Sequence, residues 1–443
     1  MEKFDVAICG YGPVGATLSL LLAKYNYKVL IIEKNQGPCK TARAINTDGE
    51  QLRIFDQFNL AEKVIANSNQ IEKVHFSNKD LEPIQTIIAS IEDTEMGWPN
   101  QVLFYQPELE SFLRQKIQSS KNIEVKESTE LVDFKNTSDG VDVVINEKNQ
   151  NTKLKSKLLF GCDGASSFIR KKLDINLEDL GYNQKWLVCD AHLTKDIGLK
   201  NELVQVCNPS RPGTFLHGRR GHLRFEFRVM PDDDEDNIKS ESFIWELLSP
   251  WINKDNAVLE RAAIYTFHAC IAERWNEDNI FIAGDAAHQM PPFMGAGMGT
   301  GIRDVSNLAW KISICCKKGH NEKLLDTYQS ERSSNVRDYI NTAMKMGELL
   351  NSIGGSKVSD TVYMEKDGTI KMNSIKPELG KGLGNLRLEH VFDLRGRENI
   401  LNHLIDDQDL FHMPSGPYGV LTARDSITDH YAVEAERKGL SPS

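Results

Sequence analysis

The chain has 443 residues, 40% hydrophobic and 8% aromatic, and a formal charge of -10. That length exceeds one compact core and predicts two domains with a C-terminal appendage, while the acidic balance argues against nucleic acid or an anionic membrane as principal partner. The eight cysteines show neither CxxC spacing nor a disulfide framework, and no His/Cys/carboxylate cluster has ligand spacing, so the expectation is a reducing cytoplasm and no metal.

In chain order, the apolar run Phe4 to Ile8 predicts a strand and Ala16 to Ala23 a helix, with GYGPVG at Gly10 to Gly15 as the turn between them. Gly10, Gly12, Pro13 and Gly15 interrupt the longest apolar stretch, which therefore reads as strand, turn and helix rather than as an export signal or membrane span. Gly10 permits the tight turn, Gly12 lets a pyrophosphate approach the backbone, and Gly15 lets helix and strand pack closely. Phosphates would meet free N–H groups at the helix N-terminus. A second strand, Lys28 to Ile32, ends in Glu33, 18 positions after Gly15, where a carboxylate can accept from both ribose hydroxyls of an adenosine. A Gly-rich turn and an acidic strand end are each commonplace alone. Strand, helix and acid in register point to dinucleotide binding.

A loop, GPCKTARAINTDGE, leads to a predicted helix from Glu50 to Phe58, flanked by Arg43 and Arg53. Gln106 precedes Pro107 at a helix start, and Leu109, Phe112, Leu113 and Ile117 follow at helical spacing. Ile123 to Ile145 reads as a hairpin turning at Ser138, Asp139 and Gly140. Leu158 to Phe160 then run as a strand into GCDGASSFIRKKL, a second helix start. In the middle third, Leu223, Phe225, Phe227 and Val229 alternate with Arg224, Glu226 and Arg228, which predicts a strand with one buried face. WLVCDAHL and ELVQVCN extend this to an antiparallel sheet between about residues 175 and 270. Asp232 to Asp236 reads as a solvated loop.

At Asn279 the nucleotide-binding half resumes. Ile280 to Ala283 form a short strand ending at Gly284-Asp285, and after Pro291-Pro292 the glycines at 295, 297, 299 and 301 open a long helix through Trp310 and Ile314. Asp285 can accept ribityl hydroxyls, the helix start can face an anionic isoalloxazine oxygen, and the prolines would stiffen the loop at the flavin edge. Strand termination and a helix N-cap region explain the segment equally well when it is taken alone. The fold expected is α/β: a Rossmann-like FAD-binding domain with an inserted antiparallel β-sheet substrate domain. The division expected is 1–174 for the first part of the FAD-binding domain, with a substrate-domain contribution near 75–105, then 175–270 for the substrate domain. Residues 271–350 would be the return and an interdomain helix, and 351–443 a C-terminal segment without assignment.

Taken together, GYGPVG, Glu33, Arg43, QPELE at Gln106, GCDGASSFIR at Gly161 and GDAAHQMPPFMGAGMGTGIRD at Gly284 stand in the order found in single-component FAD-dependent aromatic hydroxylases. The chain resembles the para-hydroxybenzoate hydroxylase superfamily in plan, and its 3-(3-hydroxyphenyl)propionate and phenol hydroxylase branch more closely. The resemblance covers residues 4 to about 335. It implies that NAD(P)H, as a transient reductant, reduces FAD, that O2 adds at the flavin C4a atom, and that the hydroperoxide hydroxylates a small aromatic substrate. It implies pyrophosphate contacts from Gly10, Gly12, Pro13, Val14 and Gly15, adenosine contacts from Glu33 and Lys34, and further cofactor contacts from Arg43, Gln106 and Asp163. Asp285 would hold the ribityl chain, Pro292 would lie beside the flavin, and Gly297, Met298 and Gly299 would face its pyrimidine edge. Dimerisation is implied by family analogy only.

Related sequences often carry GQGMN where this chain has GAGMG, so Ala296 and Gly299 lack the amide side chains. In the phenol hydroxylase branch an acid precedes glycine after the second strand, and TDGEQLR places Asp48 there. A carboxylate beside the flavin could accept a phenol proton, although an N-cap aspartate explains Asp-Gly before a helix equally well. His217, His222 and Tyr265 lie in the expected substrate domain, and Arg211, Arg219 and Arg220 could meet a substrate carboxylate or form a solvated loop. His288 is expected to brace its turn rather than transfer protons. Two other readings remain open: a same-fold FAD-dependent reductase or dehydrogenase, and a non-catalytic flavin-binding scaffold.

Overall fold

The computed structural model describes residues 2–88, 97–99, 101–318 and 322–350, and the backbone of the strand pair Val362–Met364 and Ile370–Met372. The rest of the expected C-terminal segment, 351–443, lies outside the described residues.

Continuous apolar runs build the first sheet. Strand Glu2–Cys9 pairs in parallel with Val29–Ile32 on one side and with Gln150–Gly161 on the other. Its residues Val6, Ala7 and Ile8 are buried, as parallel strands covered on both faces require. Ile280–Ile282 extends the sheet beyond Gln150–Gly161, again in parallel. Helix Pro13–Lys24 follows the first strand and packs against helix Gly297–Lys318. The strand order reverses at Glu2–Cys9, with Val29–Ile32 and Ile123–Lys126 added on one side and Gln150–Gly161 and Ile280–Ile282 on the other, which places the first Gly-rich turn at the crevice beyond the strand ends, where open α/β sheets bind ligands.

One expected element changes partner. Ile123–Lys126 does not belong to the hairpin; it pairs in parallel with Val29–Ile32. The chain turns at Ser128, in the left-handed region at φ +52°, and the hairpin proper is Thr129–Thr137 with Gly140–Glu147.

The second sheet has eight strands and is antiparallel apart from one parallel pairing, Glu202–Val206 with Lys73–Ser77. Its centre is the long pair Leu177–Leu193 and Ala257–Ala272, with His222–Arg228 and Gly213–His217 alongside. Leu223, Phe225 and Phe227 pack into a core with Ile244, Leu248 and Trp251. The expectation of one buried face needs correction here, because Arg224 and Glu226 on the other face are buried too. That face looks toward the first sheet across a cleft. The acidic stretch after it is also structured: Asp233 takes both Arg211 guanidinium nitrogens at 2.7 Å, and Asp234 caps the short helix Glu235–Ile238.

Two long helices, Gly297–Lys318 and Glu322–Leu350, close the molecule behind the cleft. Buried ion pairs tie them together, Lys311 Nζ to Glu331 at 2.7 Å and Arg332 Nε to Asp304 at 2.9 Å. Among the described residues, no helix is long and apolar enough to cross a membrane.

Candidate active site

One cleft of about 1620 Å³ joins the two sheets. It is larger than the roughly 300–1,000 Å³ of a typical small-molecule pocket, so it has room for a dinucleotide and a second molecule. Of the residues expected at a cofactor, Gly10, Gly12, Pro13, Val14, Glu33, Lys34, Arg43, Gln106, Asp163, Asp285, Gly297 and Met298 line it, as do Asp48 and Pro292. Gly15 and Gly299 do not.

At the first turn, the roles of the glycines separate physically. Gly10 has φ +106°, and a Cβ there would lie 2.2 Å from the Cys162 carbonyl oxygen. A Cβ on Gly15 would meet the Gly10 carbonyl oxygen at 2.2 Å, which makes Gly15 a packing residue behind the cleft. At Gly12 a Cβ would meet nothing within 4 Å. The helix that follows has no side-chain cap, so its first N–H groups face the open side with the positive end of the dipole. This geometry suits a diphosphate. Glu33 is anchored beside it: the N–H groups of Tyr11 and Asn35 donate to its two oxygens at 2.9 and 2.8 Å. A carboxylate has about four acceptor sites, which leaves capacity for ribose hydroxyls. Asp163 accepts from the Phe168 N–H at 2.7 Å through one oxygen, and its other oxygen is buried with no partner among the described residues.

At the second turn, Asp285 faces the cleft and no hydrogen bond reaches its carboxylate among the described residues. Desolvation by the surrounding fold pushes its carboxyl upward, against the pull of His288 and Arg43. His288 sits as expected. Its Nε2 lies 2.6 Å from Asp304, which also accepts from the Gly284 N–H at 3.1 Å, so the ring braces the turn from below. Phe293, next to Pro292, packs its ring edge-on against Trp186 with centroids 5.0 Å apart and thereby fixes this corner to the second sheet.

Gly299 is enclosed by Gln51 from helix Gly49–Asp56: a Cβ there would lie 2.8 Å from the amide atoms. Gln51 Oε1 accepts from the Asp48 N–H at 3.0 Å, and its buried Nε2 has no partner among the described residues. An amide side chain therefore occupies the space that GAGMG leaves, from a different helix. Asp48 completes this capping box. Its carboxylate accepts from the N–H groups of Glu50 and Gln51 and from Arg303 at 2.8 Å, and Arg303 also binds Glu50 at 2.5 Å. The Asp48 carboxylate is thus engaged by two backbone N–H groups and a guanidinium, and it caps the helix start.

Gln106 acts on the backbone. Its Oε1 accepts from the N–H groups of Arg43 and Ala44 at 2.7 and 2.8 Å, while its Nε2 donates to Glu110. The same loop is gripped from the opposite side by the second sheet. Arg224 donates to the carbonyls of Arg43 and Ala42, Arg261 donates to that of Ala42, and both guanidiniums bind Asp190. Burial alone would raise the Asp190 carboxyl; His222 and Arg224 outweigh it and hold the group well below the usual carboxylate range.

The other expected substrate-domain residues stay outside the cleft. His217 binds the Lys200 carbonyl, His222 lies against Tyr105, Tyr265 accepts from Arg261, and Arg211 is paired with Asp233. Arg219 lies 3.6 Å from Glu108. Among the side chains that do line the sheet wall are Arg224, Glu226, Thr214, Gln205, Leu216 and Leu203. Tyr339, from the last long helix, also lines the cleft, and burial pushes its phenol up to about 12. Period-two alternation already put Arg224 and Glu226 on one face of their strand; nothing local in the sequence said that this face is enclosed. Among the described residues, no group of three or more His, Cys, Asp or Glu side chains could hold a metal ion.

Residues 3–343 match the family described as FAD binding domain. The chain is 35% identical over 355 residues to a probable NADH-specific resorcinol 4-hydroxylase of Rhodococcus jostii, covering 79% of this chain and 66% of that protein. It is 32% identical over 353 residues to a 3-(3-hydroxy-phenyl)propionate/3-hydroxycinnamic acid hydroxylase of Escherichia coli, covering 79% of this chain and 63% of that one. The chain thus spans just under two thirds of the length of these curated relatives. In fold it is similar to p-nitrophenol 4-monooxygenase from Pseudomonas putida, with a TM-score of 0.73 at 18% identity over 94% of this chain and 99% of that chain. It is likewise similar to aklavinone-11 hydroxylase in complex with FAD and aklavinone, with a TM-score of 0.72 at 21% identity over 86% and 79%.

Proposed function

The chain belongs to the FAD-binding-domain family, and on that premise we propose that it is an FAD-dependent monooxygenase that uses a nicotinamide donor and O2 to hydroxylate a phenolic ring. The observation that carries this reading is the cleft running from an uncapped Gly-rich turn to the polar wall of the second sheet. The names of the two relatives support a phenolic substrate, and one of them supports NADH as the donor.

The residues present fit FAD. The helix start at Gly12 would hold the diphosphate, Glu33 the adenosine ribose, and the unpartnered Asp285 carboxylate the ribityl hydroxyls. The start of helix Gly297–Lys318 would face the pyrimidine edge. When bound, FAD supplies hydride acceptance from the nicotinamide and activation of O2. The protein's own contribution is position. Gln106, Arg224 and Arg261 fix the Ala42–Ala44 loop from two sides, and the Phe293–Trp186 contact fixes the Pro292 corner to the second sheet.

Purification without added cofactor, an absorbance spectrum and a screen of phenols for faster NADH oxidation test this directly. The expected outcome is a bound flavin, phenol-stimulated oxidation and a product heavier by one oxygen atom. Asp285→Ala should retain less flavin at equal folding. If every phenol yields only hydrogen peroxide, the protein is an oxidase or reductase of the same fold and the hydroxylase reading is lost.

A further inference from the structure

Glu226 is a polar side chain of the sheet wall that, among the described residues, no hydrogen bond ties to the fold. It is 7% exposed, lines the cleft, and no hydrogen bond reaches its carboxylate among the described residues. Burial pushes its carboxyl upward, and the nearby Asp190 adds to this while Arg224 and Arg261 oppose it. A buried carboxylate without a partner is costly, and folds retain such groups where a ligand or reaction uses them. Beside it, Thr214 is its direct partner on the adjacent strand, and Gln205 is the partner of Thr214 on the next. Paired residues of antiparallel strands share a face at a spacing of roughly 4.8 Å, so the three side chains form one polar strip. Thr214 donates to Gln205 Oε1 at 2.7 Å, and no partner takes the Gln205 amide N–H groups among the described residues. Phe76 continues this strip in register with Gln205, and Leu216, Leu203 and Val74 form the neighbouring row beside Arg224; all four are apolar and line the same cleft.

We propose that Glu226 is the acceptor for a substrate hydroxyl, with Gln205 and Thr214 binding a second oxygen, and that the site therefore takes uncharged dihydroxybenzenes rather than phenols bearing a carboxylate. The inference rests on the hydroxylase reading above. Two features give it direction. The arginines of this wall are already committed, Arg224 and Arg261 to Asp190 and to the loop carbonyls, so neither offers a charge for an anionic substituent. A second carboxylate beside Glu226 would add repulsion in a desolvated site. In the step assigned to Glu226, the phenol O–H bond breaks, its electron pair stays on the ring oxygen, and the proton moves to a carboxylate oxygen. The ring becomes more electron-rich before it receives oxygen.

The experiment uses the full chain loaded with FAD, with catechol, resorcinol and hydroquinone as uncharged probes and hydroxyphenyl alkanoates as charged ones. Binding is followed by perturbation of the flavin absorbance, and turnover by oxygenated product. Uncharged probes should bind and react, and the alkanoates should do so poorly. Glu226→Gln should weaken binding and lower product formation by roughly 100-fold or more. Its thermal midpoint should be equal to or above that of the parent, since an unpartnered buried carboxylate has been removed. A purely structural glutamate would show the opposite, a lower midpoint with residual turnover per folded molecule unchanged. Glu226→Gln binding and turning over the probes like the parent, or a preference for alkanoates, overturns the proposal. If the parent binds the uncharged probes through Glu226 yet oxygenates none, the recognition strip stands and the hydroxylase reading falls.

Discussion

Gly299 and Gln51 share one small volume, and their residue types are fixed together by it. The Gln51 amide lies 2.8 Å from where a Gly299 Cβ would stand, while its oxygen closes the capping box of helix Gly49–Asp56. Gly299→Asn should expel Gln51, open that cap and cost about 1–3 kcal/mol of stability through overpacking. In the double variant with Gln51→Ala the cost should fall well short of the sum of the two single changes, a coupling of about 0.5–3 kcal/mol that marks residues in contact. Urea unfolding of the four proteins measures it, and strict additivity would contradict the shared volume. At this scale the legible residues were those with a local signature. Glu33 and Asp285 stand at strand ends after apolar runs, and both reach the cleft. The Asp48 N-cap was equally local, as Asp-Gly before a helix, whereas the part of Gln51 in closing a capping box came from the structure. The meeting of Gln51 with Gly299 was not legible, because it joins helices far apart in the chain.

The Gly-rich turn shows how one element divides its labour. Gly10 and Gly15 are constrained by backbone at 2.2 Å, whereas Gly12 borders open space. Gly10→Ala should therefore lower stability by several kcal/mol, from its positive φ and the collision with the Cys162 carbonyl. Gly12→Val should leave the cofactor-free protein's thermal midpoint near the parent's and abolish flavin retention, because its side chain would stand where a diphosphate approaches the helix start. Equal flavin content in Gly12→Val and the parent would remove this turn from the cofactor site. Strand, turn and helix were readable because each has a periodicity and a breaker of its own. The strand His222–Arg228 was readable as a strand, yet its polar face was misjudged as solvated. Alternation reports which residues share a face, and only the opposing sheet decides whether that face meets water.

For the molecule as a whole, the two sheets are coupled through the loop at Ala42 and Arg43, and Asp190 is the counter-charge that holds the coupling together. Its carboxylate binds Arg224 and Arg261, which reach across to the loop carbonyls. Asp190→Asn leaves two guanidiniums in a buried site without their charge partner, a change of about 3–5 kcal/mol. The sign of its pH dependence follows from the depressed carboxyl of Asp190. The stabilisation is complete above the unfolded-state value of about 3.9 and is lost as pH falls through the lower folded-state value, so the deficit of Asp190→Asn should narrow below about pH 4. Arg261→Met is the gentler probe: it keeps the Asp190–Arg224 pair and removes one donor to the Ala42 carbonyl. Amide hydrogen exchange across residues 40–46 should then accelerate, with flavin released faster on dilution and exchange in strand Glu2–Cys9 unchanged. If exchange in the loop stays at the parent's rate, Arg261 only fills the sheet wall and the loop is held without it, by Arg224 and Gln106. Acceleration confined to the loop would establish that the second sheet positions the Ala42–Ala44 loop across the cleft, so that the geometry of a loop carried by one layer is set by side chains of the other.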